Sequence, residues 1–154
     1  AWGAELGADV PFFIFRKPAW AGGKGERLEA AEVPLHLRFL LLAPPFRIST
    51  AWAYAAYDRL EEGKAGSFLA KRPARDIADL LPLLRNDLER ASIGRSPEIG
   101  EMKERLRERG ASGALMSGSG PVVYGLFADP EGRRMAEERL ALPPGWRAIP
   151  AEGI

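Results

Sequence analysis

Four consecutive small residues, Ser117 to Gly120 (SGSG), separate two apolar segments of strand length, GALM and PVVYGLF. Such residues offer little side chain to pack. The segment is therefore either a tight turn between two strands or a place where the backbone comes close to a bound group. Glycine supplies the positive φ that short turns need, and successive backbone N–H groups in a turn can also form an anion-binding concavity. The residues alone leave both interpretations open.

The segments on either side of this turn predict the rest of the fold. Residues 37–43 (LRFLLLA) are almost all apolar, which is typical of a central strand buried on both faces. Helices are predicted at residues 49–63, 76–92 and 96–110 before the turn and at residues 129–141 after it, and the helical pattern at 76–92 is interrupted or restarted around Pro82. A closing strand is predicted near WRAIPA. This order of elements predicts an α+β fold with the split β-α-β arrangement of ferredoxin-like domains, an antiparallel sheet with helices on one face.

Two details of these helices are specific enough to be checked. In the helix predicted at residues 96–110, Ser96 is expected to cap the first turn, with Pro97 at the first helical position. The apolar residues Ile99, Met102 and Leu106 recur at spacings of three and four, which predicts one buried stripe. Gly63 is expected to end the helix that begins near Ser49.

Residues 1–36 do not fit naturally into that unit. AWGAEL is typical of a helix tail ending at Gly7, residues 9–15 (DVPFFIF) predict a strand, and the glycines that follow predict a turn. We interpret residues 1–36 as the last strands of a preceding domain and residues 37–154 as the domain that follows it. The chain is therefore expected to be the C-terminal portion of a longer protein.

Composition excludes several classes of function. The 154 residues contain no cysteine and one histidine, which excludes disulfides and thiol nucleophiles and argues against a histidine-rich metal site. No metal-ligating residues are predicted. The formal net charge of +1 gives no basic footprint for nucleic acid. The longest apolar run is too short to cross a bilayer, and no signal-peptide pattern is present, so a cytoplasmic protein without a membrane partner is expected.

Five motifs in this order resemble the GHMP-superfamily small-molecule kinases, and the resemblance extends from Leu6 to the end of the chain. The motifs are LGADVPFF, GGKGERL, ISTAWAYAAYD, NDLE and MSGSGPVVYGLF. Within the superfamily, the chain is most similar to the kinase of the non-mevalonate isoprenoid route, whose acceptor carries a cytidine group. The resemblance implies phosphorylation of a small-molecule hydroxyl by ATP. It also implies that ATP and Mg²⁺ are held mainly by an N-terminal lobe, whose GLGGGSS-like phosphate loop this chain lacks.

The resemblance assigns roles to particular residues. Asp9 matches the aspartate that acts as catalytic base, although as a residue in its own right it is equally typical of a turn cap. Thr50 and Tyr54 match the segment that approaches the cytidine end of the substrate, and Tyr54 is expected either to stack on the base or to pack in the core. Asn86 matches a family position, for which a structural or helix-capping role is expected. The residues that match the third superfamily motif, which lies against the phosphate loop and the transferred phosphate, are Ser117, Gly118, Ser119 and Gly120.

The chain also departs from the family pattern. Arg16 and Pro18 stand where small residues are usual, and Pro121 removes a backbone donor directly after the glycines. Two alternatives stay open: another GHMP kinase, acting on homoserine, mevalonate or a sugar, and a non-catalytic ferredoxin-like module that binds a small ligand. Since phosphoryl transfer depends on positioning and charge neutralisation, the chain without its phosphate loop is expected to be inactive.

Overall fold

The computed structural model describes residue 7 and residues 10–23, 25–33, 36–60 and 71–153. Its centre is a four-stranded antiparallel sheet made of β3 (Arg38–Ala43), β4 (Gly113–Met116), β5 (Val123–Phe127) and β6 (Arg147–Glu152). These strands lie side by side in the order β4-β5-β3-β6. β3 pairs with β5 on one side and with β6 on the other. This order, and the helices between the strands, confirm the predicted α+β, ferredoxin-like class.

The central position of β3 follows from its apolar sequence. Leu40 and Leu42 point to one face of the sheet and are fully buried. Phe39 and Leu41 point to the other face and keep some exposure. The central position predicted for this strand is therefore confirmed, but the prediction that both faces are buried is wrong, because the face that carries Phe39 and Leu41 keeps some exposure.

The helices lie mainly before β4. Their bounds are α2 (Thr50–Leu60), α3 (Ile77–Leu80) with a 3-10 turn at Leu81–Leu83, α4 (Glu89–Arg95), α5 (Glu98–Glu108) and, after β5, α6 (Pro130–Arg139). Asp129 caps α6, since its side chain accepts a hydrogen bond from the Gly132 amide at 2.7 Å. The predicted end of α2 at Gly63 lies outside the described residues. None of the described helices is long and apolar enough to cross a membrane.

Helix α5 buries the stripe that its sequence predicts. Ile99, Met102 and Leu106 are all fully buried, and Leu106 faces Gly125 of β5 so closely that a Cβ there would lie 3.1 Å from its Cδ2. The Ser96 prediction is wrong in one respect. Its side chain does not cap the helix; instead, its backbone carbonyl accepts a hydrogen bond from the Ile99 amide at 3.1 Å. A backbone carbonyl of any residue can make that contact, so the serine is not required for it.

The segment before β3 differs from the prediction. Val10–Phe15 is a short helix, α1, where a strand was predicted. A short apolar run fits a buried strand and one side of a helix equally well. Here the run forms a helix, and it is not buried either: Phe13 and Ile14 are 73% and 67% exposed. The predicted helix tail at residues 1–6 lies outside the described residues.

The predicted turn after α1 is confirmed. Strands β1 (Ala19–Gly22) and β2 (Arg27–Ala30) form a separate antiparallel hairpin. Between them Gly23 and Gly25 have φ of 71° and 109°, the left-handed region that favours glycine. The predicted division of the chain at residue 36 stays a prediction.

Candidate functional site

Residues 117–120, the glycine turn, join β4 to β5. Inside the turn the Ser117 amide donates to the Val122 carbonyl at 2.8 Å, and the Gly120 amide donates to the Ser117 carbonyl at 3.0 Å. Gly118 and Gly120 have φ of 55° and 85°, which explains why glycine stands at both positions. A Cβ on Gly120 would lie 2.7 Å from the Met116 sulfur, whereas a Cβ on Gly118 would meet nothing within 4 Å. The turn is therefore packed on one side and open on the other.

Asn86, in the loop before α4, holds the packed side of the turn. Its Nδ2 donates to the Met116 carbonyl at 2.8 Å and to the Gly118 carbonyl at 2.7 Å. Its Oδ1 accepts from the Leu88 amide at 3.0 Å. One side chain thus connects the approach to α4 with both ends of the Met116–Gly118 segment, which agrees with the structural role expected for this residue.

Helix α4 supplies two further contacts that the sequence did not predict. The Glu89 carboxylate accepts from the Met116 amide at 2.9 Å and forms an ion pair with Lys103 of α5, and both side chains are largely buried. The fully buried Ser92 donates its hydroxyl to the Ser119 carbonyl at 3.3 Å. No local sequence pattern predicts either contact, since each side chain bonds to a backbone group roughly 27 residues away.

The first residue of α2 also reaches the glycine turn. The Thr50 hydroxyl lies 2.9 Å from the Ser119 hydroxyl, within hydrogen-bond distance. Thr50, expected from the resemblance near the substrate, and Ser119, expected near the phosphate, therefore lie together although 69 residues separate them.

Two amides of the turn are open. Among the described residues, the amides of Gly118 and Ser119 have no hydrogen-bond partner, whereas those of Ser117 and Gly120 are used inside the turn. The turn therefore offers two free backbone donors to an anion, and not all four of its amides. Two backbone donors flanked by two serine hydroxyls match the acceptor oxygens of a phosphate.

A cleft of about 560 Å³ lies beside the glycine turn. Its lining includes Ser117 and Gly118 together with three tyrosines, Tyr54, Tyr57 and Tyr124. Tyr54 is 56% exposed, which excludes the expected alternative of a core aromatic. The cleft thus combines aromatic rings with the open side of the turn.

Tyr124, which belongs to β5, also lines this cleft. Its ring packs edge-to-face on Phe39, with ring centroids 5.7 Å apart. Burial raises the pKa of the Tyr124 hydroxyl, and the negative charge of Glu89 raises it further. The hydroxyl is therefore neutral at physiological pH and is available as a hydrogen-bond donor.

Asp9 lies outside the described residues, so its expected role as catalytic base stays a prediction. Among the residues that the structure describes, no three His, Asp or Glu side chains lie close enough together to hold a metal ion. Of the residues matched by resemblance, the structure brings seven together around the turn and the cleft. They are Thr50, Tyr54, Asn86, Ser117, Gly118, Ser119 and Gly120.

Comparison with known proteins points to one family. The family model described as "GHMP kinases C terminal" matches residues 67–142. The 4-diphosphocytidyl-2-C-methyl-D-erythritol kinase of Syntrophotalea carbinolica is 42% identical over 152 residues, which are 99% of this chain and 54% of that protein. The kinase of the same name from Pelobacter propionicus is 44% identical over 154 residues, 99% of this chain and 54% of that protein. The chain spans about half the length of the curated relatives it matches.

A solved structure gives the same result in three dimensions. The crystal structure of a 4-(cytidine 5'-diphospho)-2C-methyl-D-erythritol kinase superposes with a TM-score of 0.75 at 30% sequence identity. The match covers 97% of this chain and 54% of that one. The similarity therefore includes the hairpin and α1 as well as the ferredoxin-like unit.

Proposed function

We propose that the protein containing this chain phosphorylates the 2-hydroxyl of 4-diphosphocytidyl-2-C-methyl-D-erythritol with ATP. Two similarities support this proposal: residues 67–142 match the family model of the GHMP kinase C-terminal domain, and the chain superposes on a solved kinase that acts on this substrate. In this proposal the reaction belongs to non-mevalonate isoprenoid precursor biosynthesis. Residues 1–36 would complete the N-terminal, ATP-binding lobe, and residues 37–154 would form the C-terminal domain.

The observation that supports this substrate is the position of the open amides beside an aromatic cleft. Gly118 and Ser119 offer backbone N–H donors to a phosphate. Tyr54, on the same cleft, offers a ring on which a pyrimidine base can stack. A substrate that carries both a cytidine and a hydroxyl close to the ATP phosphates would use both parts of this surface.

The proposed reaction is an in-line displacement. The acceptor hydroxyl oxygen forms a bond to the γ-phosphorus of ATP, the bond from that phosphorus to the β–γ bridging oxygen breaks, and ADP leaves. The hydroxyl proton passes to the Asp9 carboxylate. Donors aimed at the transferred phosphoryl group stabilise its charge, which is the part we assign to the glycine turn. Mg²⁺ and most contacts to ATP are assigned to the N-terminal lobe.

The test is a product assay on the natural protein that contains this sequence. The protein is incubated with MgATP and, separately, with the cytidine diphosphate alcohol, homoserine, mevalonate or galactose, and products are identified by ³¹P NMR. We expect ADP and one phosphorylated product only with the cytidine diphosphate alcohol, and an Asp9→Asn variant with strongly reduced kcat. Turnover of another acceptor would favour a different GHMP kinase. Binding without ADP formation would favour a non-catalytic module.

A further inference from the structure

The two open amides of the glycine turn owe their direction to their own carbonyls. In a planar trans peptide group, the C=O and the N–H point in opposite directions. The Ser117 carbonyl points into the turn, where it accepts from the Gly120 amide. The Gly118 carbonyl points to Asn86, which donates to it at 2.7 Å. The N–H groups of the same two peptide groups, those of Gly118 and Ser119, must therefore point away from these partners.

The two peptide groups are held by different means. The group between Ser117 and Gly118 is fixed by a hydrogen bond within the turn itself. The group between Gly118 and Ser119 is fixed by the side chain of Asn86. Gly118 has no Cβ to restrict rotation of its backbone, so a contact from outside the turn is needed to fix the direction of the Ser119 amide.

Asn86 is itself held in one orientation. Its Oδ1 accepts from the Leu88 amide, so the amide nitrogen faces the two carbonyls of Met116 and Gly118. A carboxamide is suited to this task because it combines two N–H donors with an acceptor in one plane. A carboxylate of the same shape would keep the bond to Leu88 but would place an oxygen against two carbonyl oxygens.

We propose that Asn86 is a positioning residue for phosphoryl transfer, which holds the Gly118–Ser119 peptide group so that the Ser119 amide faces the transferred phosphate. Asn86 does not touch the reacting atoms; it acts through the turn. The inference rests on the proposed function for its catalytic consequence, but the direction of the amide is a property of the turn alone.

The first experiment compares the natural protein with its Asn86→Asp and Asn86→Ala variants. Loss of one preorganised donor to a developing oxyanion lowers kcat by roughly 100- to 1000-fold in other enzymes. Because the donor here is misdirected rather than removed, we expect a kcat loss of about 10- to 100-fold. KM for the acceptor alcohol should be unchanged. If the Asn86→Asp variant does not fold, the Asn86→Ala variant still tests the proposal, because it removes the two N–H donors without adding a negative charge.

Asp129→Ala serves as the matched control. It removes one side-chain cap bond, that to the Gly132 amide, at the opposite end of β5 from the glycine turn. Its Tm should fall while its kcat stays that of the wild type. If Asn86 were purely structural, its loss would lower kcat only together with stability. A lower kcat for Asn86→Asp, at a Tm no lower than that of Asp129→Ala, would therefore support the positioning role.

The second experiment needs no turnover. The ¹⁵N-labelled protein is titrated with tripolyphosphate, and the amide signals of Gly118 and Ser119 are followed. In the wild type both should shift together, and in Asn86→Asp the Ser119 shift should be lost while that of Gly118 persists. Wild-type kcat in folded Asn86 variants would overturn the proposal. If the wild-type protein forms no product, the proposed function fails, and the Ser119 signal alone decides the role of Asn86.

Discussion

At the scale of single residues, Tyr54 decides how tightly a base can be held in the cleft. Its side chain is 56% exposed, so its ring is available to a ligand. Stacking of a base on an aromatic side chain contributes about 1–3 kcal/mol. Tyr54→Ala should therefore raise KM for the cytidine-containing acceptor by about 5- to 150-fold. Tyr54→Phe keeps the ring and should stay within about twofold of the wild type in steady-state assays. An equal loss in both variants would mean that the hydroxyl, and not the ring, makes the contact.

The ion pair between Glu89 and Lys103 is a largely buried contact that should contribute measurably to stability. Both side chains are only 13–14% exposed, and the Glu89 carboxylate also accepts from the Met116 amide. Lys103→Met leaves that carboxylate without its cation and should lower the free energy of unfolding by about 3 kcal/mol. Urea denaturation measures this loss.

Two further variants test whether the unpaired Glu89 carboxylate causes the loss of stability expected for Lys103→Met. Arg134→Met breaks surface pairs with Glu131 and Glu138, whose side chains are more than half exposed, and should change stability by less than about 1 kcal/mol. Lys103→Met combined with Glu89→Gln removes the unpaired charge and should recover most of the stability. A Lys103 variant no less stable than the Arg134 variant would show that the buried pair contributes nothing.

Tyr124 gives the protein a pH dependence in the alkaline range. Its pKa in the folded protein is raised above the ordinary value of 10.0 by burial and by Glu89. Above about pH 10 the unfolded chain loses this proton before the folded protein does, so the unfolding free energy falls as pH rises toward the raised pKa. Below about pH 10 the Tyr124 hydroxyl is protonated in both the folded and the unfolded state, so it adds no pH dependence to the unfolding free energy. Tyr124→Phe should show a shallower fall between about pH 9 and pH 11 in urea denaturation, while lysines titrating in that range affect both proteins equally.

At the scale of the elements, the contact between α5 and β5 leaves no room at Gly125. A Cβ there would lie 3.1 Å from Leu106 Cδ2 and from Ala111 Cβ. Gly125→Ala should therefore destabilise the protein by about 1–3 kcal/mol, because the helix must move away from the sheet. Gly100 of α5 is the control, since a Cβ there meets only Ile93 Cγ2 at 4.0 Å. Gly100→Ala should stabilise by up to about 1 kcal/mol through helix propensity, and thermal melts compare the two.

The elements that the sequence predicts well are those whose own pattern decides the outcome. The α5 stripe of Ile99, Met102 and Leu106 is buried as predicted, and the apolar run of β3 forms the predicted central strand, although only one of its faces is fully buried. The segment Val10–Phe15 was predicted wrongly, because a short apolar run does not distinguish a strand from a helix. The Ser96 cap failed for a similar reason: a good capping residue was present, but the backbone carbonyl made the contact instead.

Local sequence patterns predicted less of the candidate site than of the fold. The glycine turn was found from its composition, and Thr50 and Tyr54 were found by resemblance. Glu89 and Ser92 were missed, and the contact of Asn86 with the turn was not foreseen. All three act on backbone groups roughly 27–32 residues away, and a hydrogen bond to a distant backbone group leaves no pattern in the local sequence.

At the scale of the whole molecule, the proposed function assigns the ATP phosphates to a phosphate loop of an N-terminal lobe, which would face the glycine turn. The curated relatives are about twice as long as their match to the chain. Because phosphoryl transfer needs ATP and acceptor to be held together, the 154 residues by themselves should give no phosphorylated product above a no-enzyme control. The full natural protein, assayed alongside, is the positive control. Turnover by the 154 residues alone would refute the assignment of ATP binding to the other lobe.

The order of the strands also fixes when the sheet can form during translation. β3, at residues 38–43, is the first of the four strands to leave the ribosome, yet its two neighbours are residues 123–127 and 147–152. One hydrogen-bonding edge of this apolar strand therefore stays unpaired while about 80 further residues are synthesised, and the other edge waits for about a hundred. The four-stranded sheet can therefore close around β3 only after the chain has been made as far as residues 147–152.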